Sequence, residues 1–172
     1  DWPSSPNQPG VEAGCRALLS WALKDAEVLC NLLEEQEHAK KCRAISKRLK
    51  KQIKQPNGLK QAAALMSIAG LMKPEQACSE VISVDGAKDF STFYGYYMLQ
   101  ALAQAGKYQQ ALDIIRQYWG GMLDLGATTF WEDFNLDWTH NAARLDDFVP
   151  EGKDDIHGDF GDYCYPSFRH SF

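Results

Sequence analysis

The segment Gly126-Ala-Thr-Thr-Phe-Trp-Glu-Asp-Phe134 combines aromatic and acidic side chains at the point where the helical hydrophobic period is lost. It places Trp131 beside Glu132 and Asp133. Aromatic rings next to acids in an irregular segment are expected to pack poorly in a core. They suit a sugar better, because rings stack on pyranose C–H surfaces while carboxylates bond the hydroxyls. Since glycoside hydrolysis needs a pair of carboxylates, a carbohydrate site is the first interpretation.

More acidic residues and histidines follow this segment. They are Asp137, His140, Asp146, Asp147, Asp154, Asp155, His157, Asp159 and Asp162. Their oxygens are of the kind that calcium prefers, but the spacing of an EF-hand is missing. A metal site and an ordinary acidic loop therefore stay open as alternatives to a sugar site.

Helical spacing of apolar residues predicts the elements that must position this segment. The predicted helices run from Val11 to about Gln36, His38 to Gln55, Leu59 to Leu71, Pro74 to Val81, Asp89 to Ala105 with Asp89 as its cap, and Lys107 to about Leu125. The fold class is therefore all-α, with antiparallel helical hairpins over about 11–125 and a long irregular aromatic and acidic segment over about 126–172. An open solenoid and a closed α/α toroid both satisfy this pattern. A single tetratricopeptide-like turn is weak support for a solenoid, which the long irregular tail also fits poorly.

Composition and charge exclude several classes of protein. A chain of 172 residues suits one domain, and its net charge of -5 argues against a nucleic-acid partner. No apolar run approaches the roughly 20 residues that cross a bilayer, so no membrane partner is predicted, and the N-terminus lacks the features of a signal peptide. Five cysteines at irregular spacing predict neither a disulfide framework nor a zinc site, and no cofactor is expected. Cys15, Cys30, Cys42 and Cys78 are expected to be small core residues.

Two helical stretches are interpreted as structural. The basic run from Lys40 to Lys54 is expected to be a solvated helix face, because the apolar stripe of Cys42, Ile45, Leu49 and Ile53 points the other way. In the aromatic run after Asp89, the shared face of Phe90, Phe93 (or Tyr94) and Tyr97 is expected to pack inward. Tyr94 and Tyr96 are candidates for the mouth of a pocket.

Several strings resemble one known family. They are Thr92-Phe-Tyr-Gly-Tyr-Tyr-Met-Leu-Gln-Ala-Leu102, Ile115-Arg-Gln-Tyr-Trp-Gly-Gly-Met-Leu123, Gly126-Ala-Thr-Thr-Phe-Trp-Glu132, Tyr165-Pro-Ser-Phe-Arg-His-Ser171 and the opening Asp1-Trp2-Pro3. In this order, across nearly the whole chain, they resemble the bacterial α-L-rhamnosidases of glycoside hydrolase family 78. The Gly-Ala-Thr-Thr-x-Trp-Glu string is the specific one.

The resemblance implies a fold, a mechanism and roles for particular residues. The fold would be part of an (α/α)6 toroid that cleaves terminal α-L-rhamnosyl linkages with inversion. Glu132 would be the general base, and Trp131 would help to shape the sugar pocket. His170 would bond a rhamnose hydroxyl and Trp2 would stack at the pocket rim. Asp133 joins them as a substrate-binding candidate through its position beside Glu132.

The same resemblance implies that parts of the family's domain lie outside this chain. The family's general acid precedes its Asp-Trp motif, and its closing helices and β-domain follow its histidine loop. We therefore expect about half a toroid, catalytically silent by itself, with an apolar surface that a dimer would cover. The parent protein would be periplasmic or secreted. A non-catalytic sugar-binding module and a tetratricopeptide-like helical interaction module are the alternatives.

Overall fold

The computed structural model describes residues 5–52, 55–132, 134–156 and 158–159. Within these residues the α-helices are α1 (Gln8–Leu32), α2 (Gln36–Lys50), α3 (Lys60–Ile68), α4 (Pro74–Ala77), α5 (Gly95–Gln104) and α6 (Tyr108–Asp124). The described residues form no strand, and a single isolated bridge joins Ala142 to Asp154. None of their helices combines the length and apolarity needed to traverse a bilayer. The all-α prediction is confirmed.

The first hairpin is formed by α1 and α2. The α1 helix begins earlier than its apolar period suggested, because the Asn7 side chain accepts a hydrogen bond from the Gly10 N–H (3.2 Å) and Pro9 suits the first turn. Glu34 adopts a positive φ of 62° in the turn that follows Leu32. The chain then returns as α2 along α1, and the Ser20 and Ser46 hydroxyls meet at 3.2 Å in the buried interface.

The α3 helix lies at the centre of the fold. The run from Ala62 to Leu65 is fully buried, and the helix packs against both α1 and α5. Burial extends to Lys60 at its start, whose ammonium donates to the Gly86 carbonyl (2.8 Å) and lies 5.3 Å from the centre of the Phe90 ring. The helix predicted from Leu59 to Leu71 is thus confirmed, although it is shorter than predicted.

The helix predicted from Asp89 is wrong over its first turns. After α4 the chain continues through a π-helical turn, Cys78–Ile82, into a series of turns, and α5 begins at Gly95. Asp89 has φ 60° and does not cap α5; its carbonyl accepts a hydrogen bond from Gln61 (3.2 Å). The buried side chains at the start of α3 therefore hold residues 86–89 in turns against the local helical pattern.

The second long hairpin is formed by α5 and α6. Gly106 ends α5 with a φ of 70°, and the chain reverses into α6 after Lys107. The shared inner face of the hairpin is fully buried at Met98, Leu102 and Ile114. This hairpin places the segment that follows Asp124 beside the aromatic run of α5.

Several predictions about burial are corrected. Of the helical cysteines only Cys78 is buried, while Cys30 and Cys42 are half-buried and Cys15 is exposed, because α1 buries the face that carries Ala13 and Ala17. The basic side chains of α2 face solvent as predicted. Its apolar stripe is not fully covered, since α2 buries Ala39 and Ser46 instead.

An apolar face of α1 is left uncovered by the described residues. Its exposed members are Leu18, Leu19, Val28, Leu29 and Leu32. Such a face is larger than scattered surface leucines and is typical of a surface that packs against another element.

Candidate functional site

The candidate site begins where α6 ends. Gly126, with φ 91°, donates to the Leu123 carbonyl (2.9 Å), and Ala127 donates to the Met122 carbonyl (2.9 Å). This pair of bonds is a Schellman motif, which needs a residue in the left-handed region and so favours glycine. A side chain at Gly126 would also meet the Asp146 carboxylate at 2.7 Å. The first glycine of the motif therefore fixes the direction in which residues 127–134 leave the helix.

A loop further along the chain closes over the same helix end. The Arg144 guanidinium donates to the Asp124 carbonyl (2.9 Å) and holds both Asp146 oxygens at 3.0 Å. These hydrogen bonds lower the pKa of Asp146 and raise that of Arg144. Leu145 also donates to the Leu125 carbonyl (2.8 Å). Asp146 thus helps to hold this loop against the end of α6.

The side chains of Trp131 and Phe134 anchor the segment in the core. Trp131 is 1% exposed and Phe134 is 3% exposed, with their ring centres 5.8 Å apart. Phe134 also meets Tyr118 of α6 at 5.2 Å and Trp138 at 5.8 Å, and the Tyr118 hydroxyl donates to the Phe134 carbonyl (3.0 Å). The expectation that the aromatic residues of this segment make poor core is therefore wrong for these two, because α6 supplies an aromatic surface to receive them.

Burial alternates along the motif. Phe130 is 49% exposed, Trp131 is buried, and Glu132 is again exposed to solvent. The buried ring of Trp131 contacts protein and not solvent, so in this conformation it does not offer a face to a ligand. Its indole N–H is buried without a hydrogen-bond partner among the described residues. The role of Trp131 toward a substrate stays a prediction, as does the role of Glu132.

Phe130 forms part of an apolar groove on the outside of the α5–α6 hairpin. The groove has a volume of about 450 Å³ and is lined by Phe93, Tyr96, Tyr97, Leu99, Ile115, Trp119 and Phe130, with Thr92 at one side. This volume is within the range of about 300–1,000 Å³ found for small-molecule sites. The lining residues that the structure describes include no carboxylate.

A second groove, of about 480 Å³, adjoins the first. The two share Trp119 and Phe130, and the second is also lined by Ala127, Thr128 and Thr129 of the motif. Residues 127–130 of the motif therefore form a wall of this surface, and Glu132 follows two residues after Phe130. The linings of the two grooves include both hydroxyls and aromatic rings, which suits a ligand with both hydroxyl groups and C–H faces.

Sequence reasoning found part of this surface. Tyr96, a candidate for the mouth of a pocket, lines the groove. Phe90 packs inward as predicted. Phe93 is exposed at the groove, whereas Tyr94, which was predicted as its alternative on the inward face, is half-buried against the core. Trp119 and Phe130 were not singled out as site residues, although Phe130 directly precedes the Trp-Glu pair.

Three of the candidate residues lie outside the described residues. They are Trp2, Asp133 and His170. Two residues of the acidic tail, His157 and Asp162, also lie outside the described residues. Among the described residues, no group of three or more His, Cys, Asp or Glu side chains has the arrangement of a metal site. The site that can be described is therefore the double groove, with the exposed Glu132 two residues after Phe130 in the sequence.

Comparisons with known proteins add no family to this description. No protein-family model, no curated protein and no solved structure matches the chain.

Proposed function

We propose that this chain is part of an inverting glycoside hydrolase that cleaves terminal α-L-rhamnosyl linkages, with Glu132 as the general base. The observation that carries the proposal is the exposed Glu132, two residues after Phe130, which lines both aromatic grooves. The Gly-Ala-Thr-Thr-x-Trp-Glu resemblance supports the same role. The hairpin order of the helices is compatible with part of an (α/α)6 toroid, which is the arrangement we propose for the longer protein.

In this mechanism Glu132 removes a proton from a water molecule. The water attacks the anomeric carbon on the face opposite the leaving group, and a second carboxylic acid protonates the leaving oxygen. The groove contributes aromatic faces for sugar C–H surfaces and the Thr128 and Thr129 hydroxyls for sugar oxygens. Because the described groove lining contains no carboxylate, the acid belongs in our proposal to the segment that precedes Asp1 in the family pattern.

The test is hydrolysis of an aryl α-L-rhamnoside by a longer polypeptide that joins this chain to such an upstream segment. Glu132→Gln keeps the shape and most hydrogen bonds of the side chain but cannot accept the proton, so we expect kcat to fall by about 10²–10⁴. Glu151→Gln, at another exposed glutamate, is the matched control and should leave kcat unchanged. Equal activity of Glu132→Gln and the parent would refute the assignment.

A non-catalytic sugar-binding module is the second candidate, and the absence of a carboxylate from the described groove lining favours it for the 172-residue chain alone. Binding of L-rhamnose to this chain, followed by NMR, should weaken in Phe130→Ala. Phe148→Ala is the control, because Phe148 is 99% exposed and lines neither groove. Binding without hydrolysis in the longer polypeptide would favour the module over the enzyme, and no binding would favour a helical interaction scaffold.

A further inference from the structure

A row of apolar residues runs along the exposed side of α1. Its members recur at spacings of four, three, four, three and four residues, which is the seven-residue period of a helix that packs along a second helix. The six residues of this α1 row are Cys15, Leu19, Ala22, Ala26, Leu29 and Leu33, the last directly after the end of the helix. Ala26 is half-buried, and the other members are exposed.

The other sides of α1 are occupied by neighbouring elements. Towards α2, the Arg16 guanidinium donates to the Gln52 carbonyl (2.9 Å). On the same side, the Ser20 and Ser46 hydroxyls meet at 3.2 Å. Ala17 faces the core and is fully buried. Because successive residues of an α-helix are about 100° apart, the α1 row lies on a third side of the helix, which the described residues leave open.

The α1 row reads almost the same in both directions. About a midpoint at Lys24, Leu19 mirrors Leu29, and Ala22 mirrors Ala26. A second copy of α1 that runs antiparallel across a two-fold axis at this midpoint would therefore set leucine against leucine and alanine against alanine. The row itself contains no charged residue. Such self-complementarity is what a two-fold interface between identical chains requires, because each contact occurs twice.

We propose that the α1 row is a homodimer interface, in which the α1 helices of two copies pack antiparallel about an axis at Lys24. The exposed leucines in and beside the row are Leu18, Leu19, Leu29, Leu32 and Leu33. They leave roughly 500 Å² of apolar surface on each copy, so a pair would bury about 1,000 Å², near the smallest area expected of a specific interface. The same axis brings the two copies of the exposed Asp25 towards each other, and like charges oppose pairing. We therefore expect a reversible dimer that does not depend on the proposed hydrolase activity.

The test is sedimentation equilibrium of the 172-residue chain from about 1 to 500 μM, with a reductant that keeps the exposed Cys15 from linking copies. We expect a monomer–dimer equilibrium within this range. Leu19→Lys puts an ammonium group against Leu29 of the other copy twice in each dimer, so it should raise the dimer Kd by about 10²-fold. Leu112→Lys on α6 is the matched control, because Leu112 and Leu19 are both 48% exposed and Leu112 is not in the row. Its dimer Kd should equal that of the unsubstituted chain.

Pairing of opposite charges tests the direction of the two helices. Residue 19 of one copy lies against residue 29 of the other only in the antiparallel arrangement, and within one helix the two positions are about 15 Å apart. Leu29→Glu should weaken the dimer as Leu19→Lys does, and the double variant should regain at least about tenfold of the lost affinity. A double variant as weak as the single variants would overturn the antiparallel register. A chain that stays monomeric over the whole range, or a dimer whose Kd is unchanged in Leu19→Lys, would overturn the interface.

Discussion

Replacing Tyr118 with phenylalanine removes a single hydroxyl from the contact between α6 and the candidate site. Tyr118 is 1% exposed, and its hydroxyl donates to the Phe134 carbonyl at 3.0 Å. The ring of the variant keeps the contacts of the tyrosine with Phe90 and Phe134. The change therefore isolates the hydrogen bond that ties the segment around Glu132 to the helix.

The expected size of the effect follows from the burial of this hydrogen bond. A buried neutral hydrogen bond contributes about 0.5–1.5 kcal/mol net to the free energy of unfolding. For a chain of 172 residues, about 1 kcal/mol corresponds to a melting temperature lower by roughly 2–4 °C. Because the lost bond joins residues 118 and 134, the loss should be concentrated in the segment that leaves α6.

Two measurements on the same protein separate a global loss from a local one. Urea unfolding gives the change in free energy, and hydrogen exchange gives the opening of individual segments. We expect amides of residues 127–138 to exchange faster in Tyr118→Phe, with those of α3 changed only by the global loss. Tyr108→Phe is the matched control, because Tyr108 is 66% exposed and no such effect is expected there.

Two results would refute this reasoning. One is a free energy of unfolding for Tyr118→Phe equal to that of Tyr108→Phe. The other is faster exchange spread evenly over all helices, since a hydrogen bond that holds one segment should not loosen the others to the same degree.

Two further predictions concern the scaffold. Gly10→Ala should destabilise the fold by about 1–3 kcal/mol, because the new Cβ would lie 2.8 Å from the Pro56 carbonyl oxygen. The control is Gly120→Ala, whose new Cβ meets open space in α6 and should stabilise the fold by about 0.5–1 kcal/mol. Thermal unfolding compares the two variants. Burial lowers the pKa of Lys60 from its ordinary value of 10.5. Above the lowered pKa the unfolded chain therefore binds more protons than the folded chain, and the free energy of unfolding should rise as pH increases through that pKa. Denaturant unfolding of Lys60→Met from about pH 7 to pH 10 should lack this rise.

The apolar periodicity was sufficient to predict most helices, and it failed where distant side chains control the backbone. The α3 and α6 helices were found because their apolar residues recur at helical spacing. The turns before α5 were missed because Lys60 and Gln61, almost 30 residues earlier, bind the carbonyls of Gly86 and Asp89. Such contacts between distant residues leave no trace in the local pattern.

The candidate site was only partly predictable for a similar reason. Its position after α6 followed from the loss of helical period, but an irregular segment has no period from which to infer which side chains turn inward. Trp131 is buried because Phe134 and the neighbouring Tyr118 form an aromatic surface beside it. Phe130 is left at the groove, where the order of the motif alone did not place it.

The most direct measurement of the central proposal is chemical rescue of Glu132→Ala in the longer polypeptide, with an aryl α-L-rhamnoside and added azide. Without the base no group deprotonates the attacking water, so we expect the variant to be nearly inactive alone. The space left by the side chain can admit azide, an anion that needs no deprotonation. With azide it should release the aryl group and form rhamnosyl azide of inverted configuration. Hydrolysis at the parent rate by Glu132→Ala without azide, or a rescued product of retained configuration, would contradict the account.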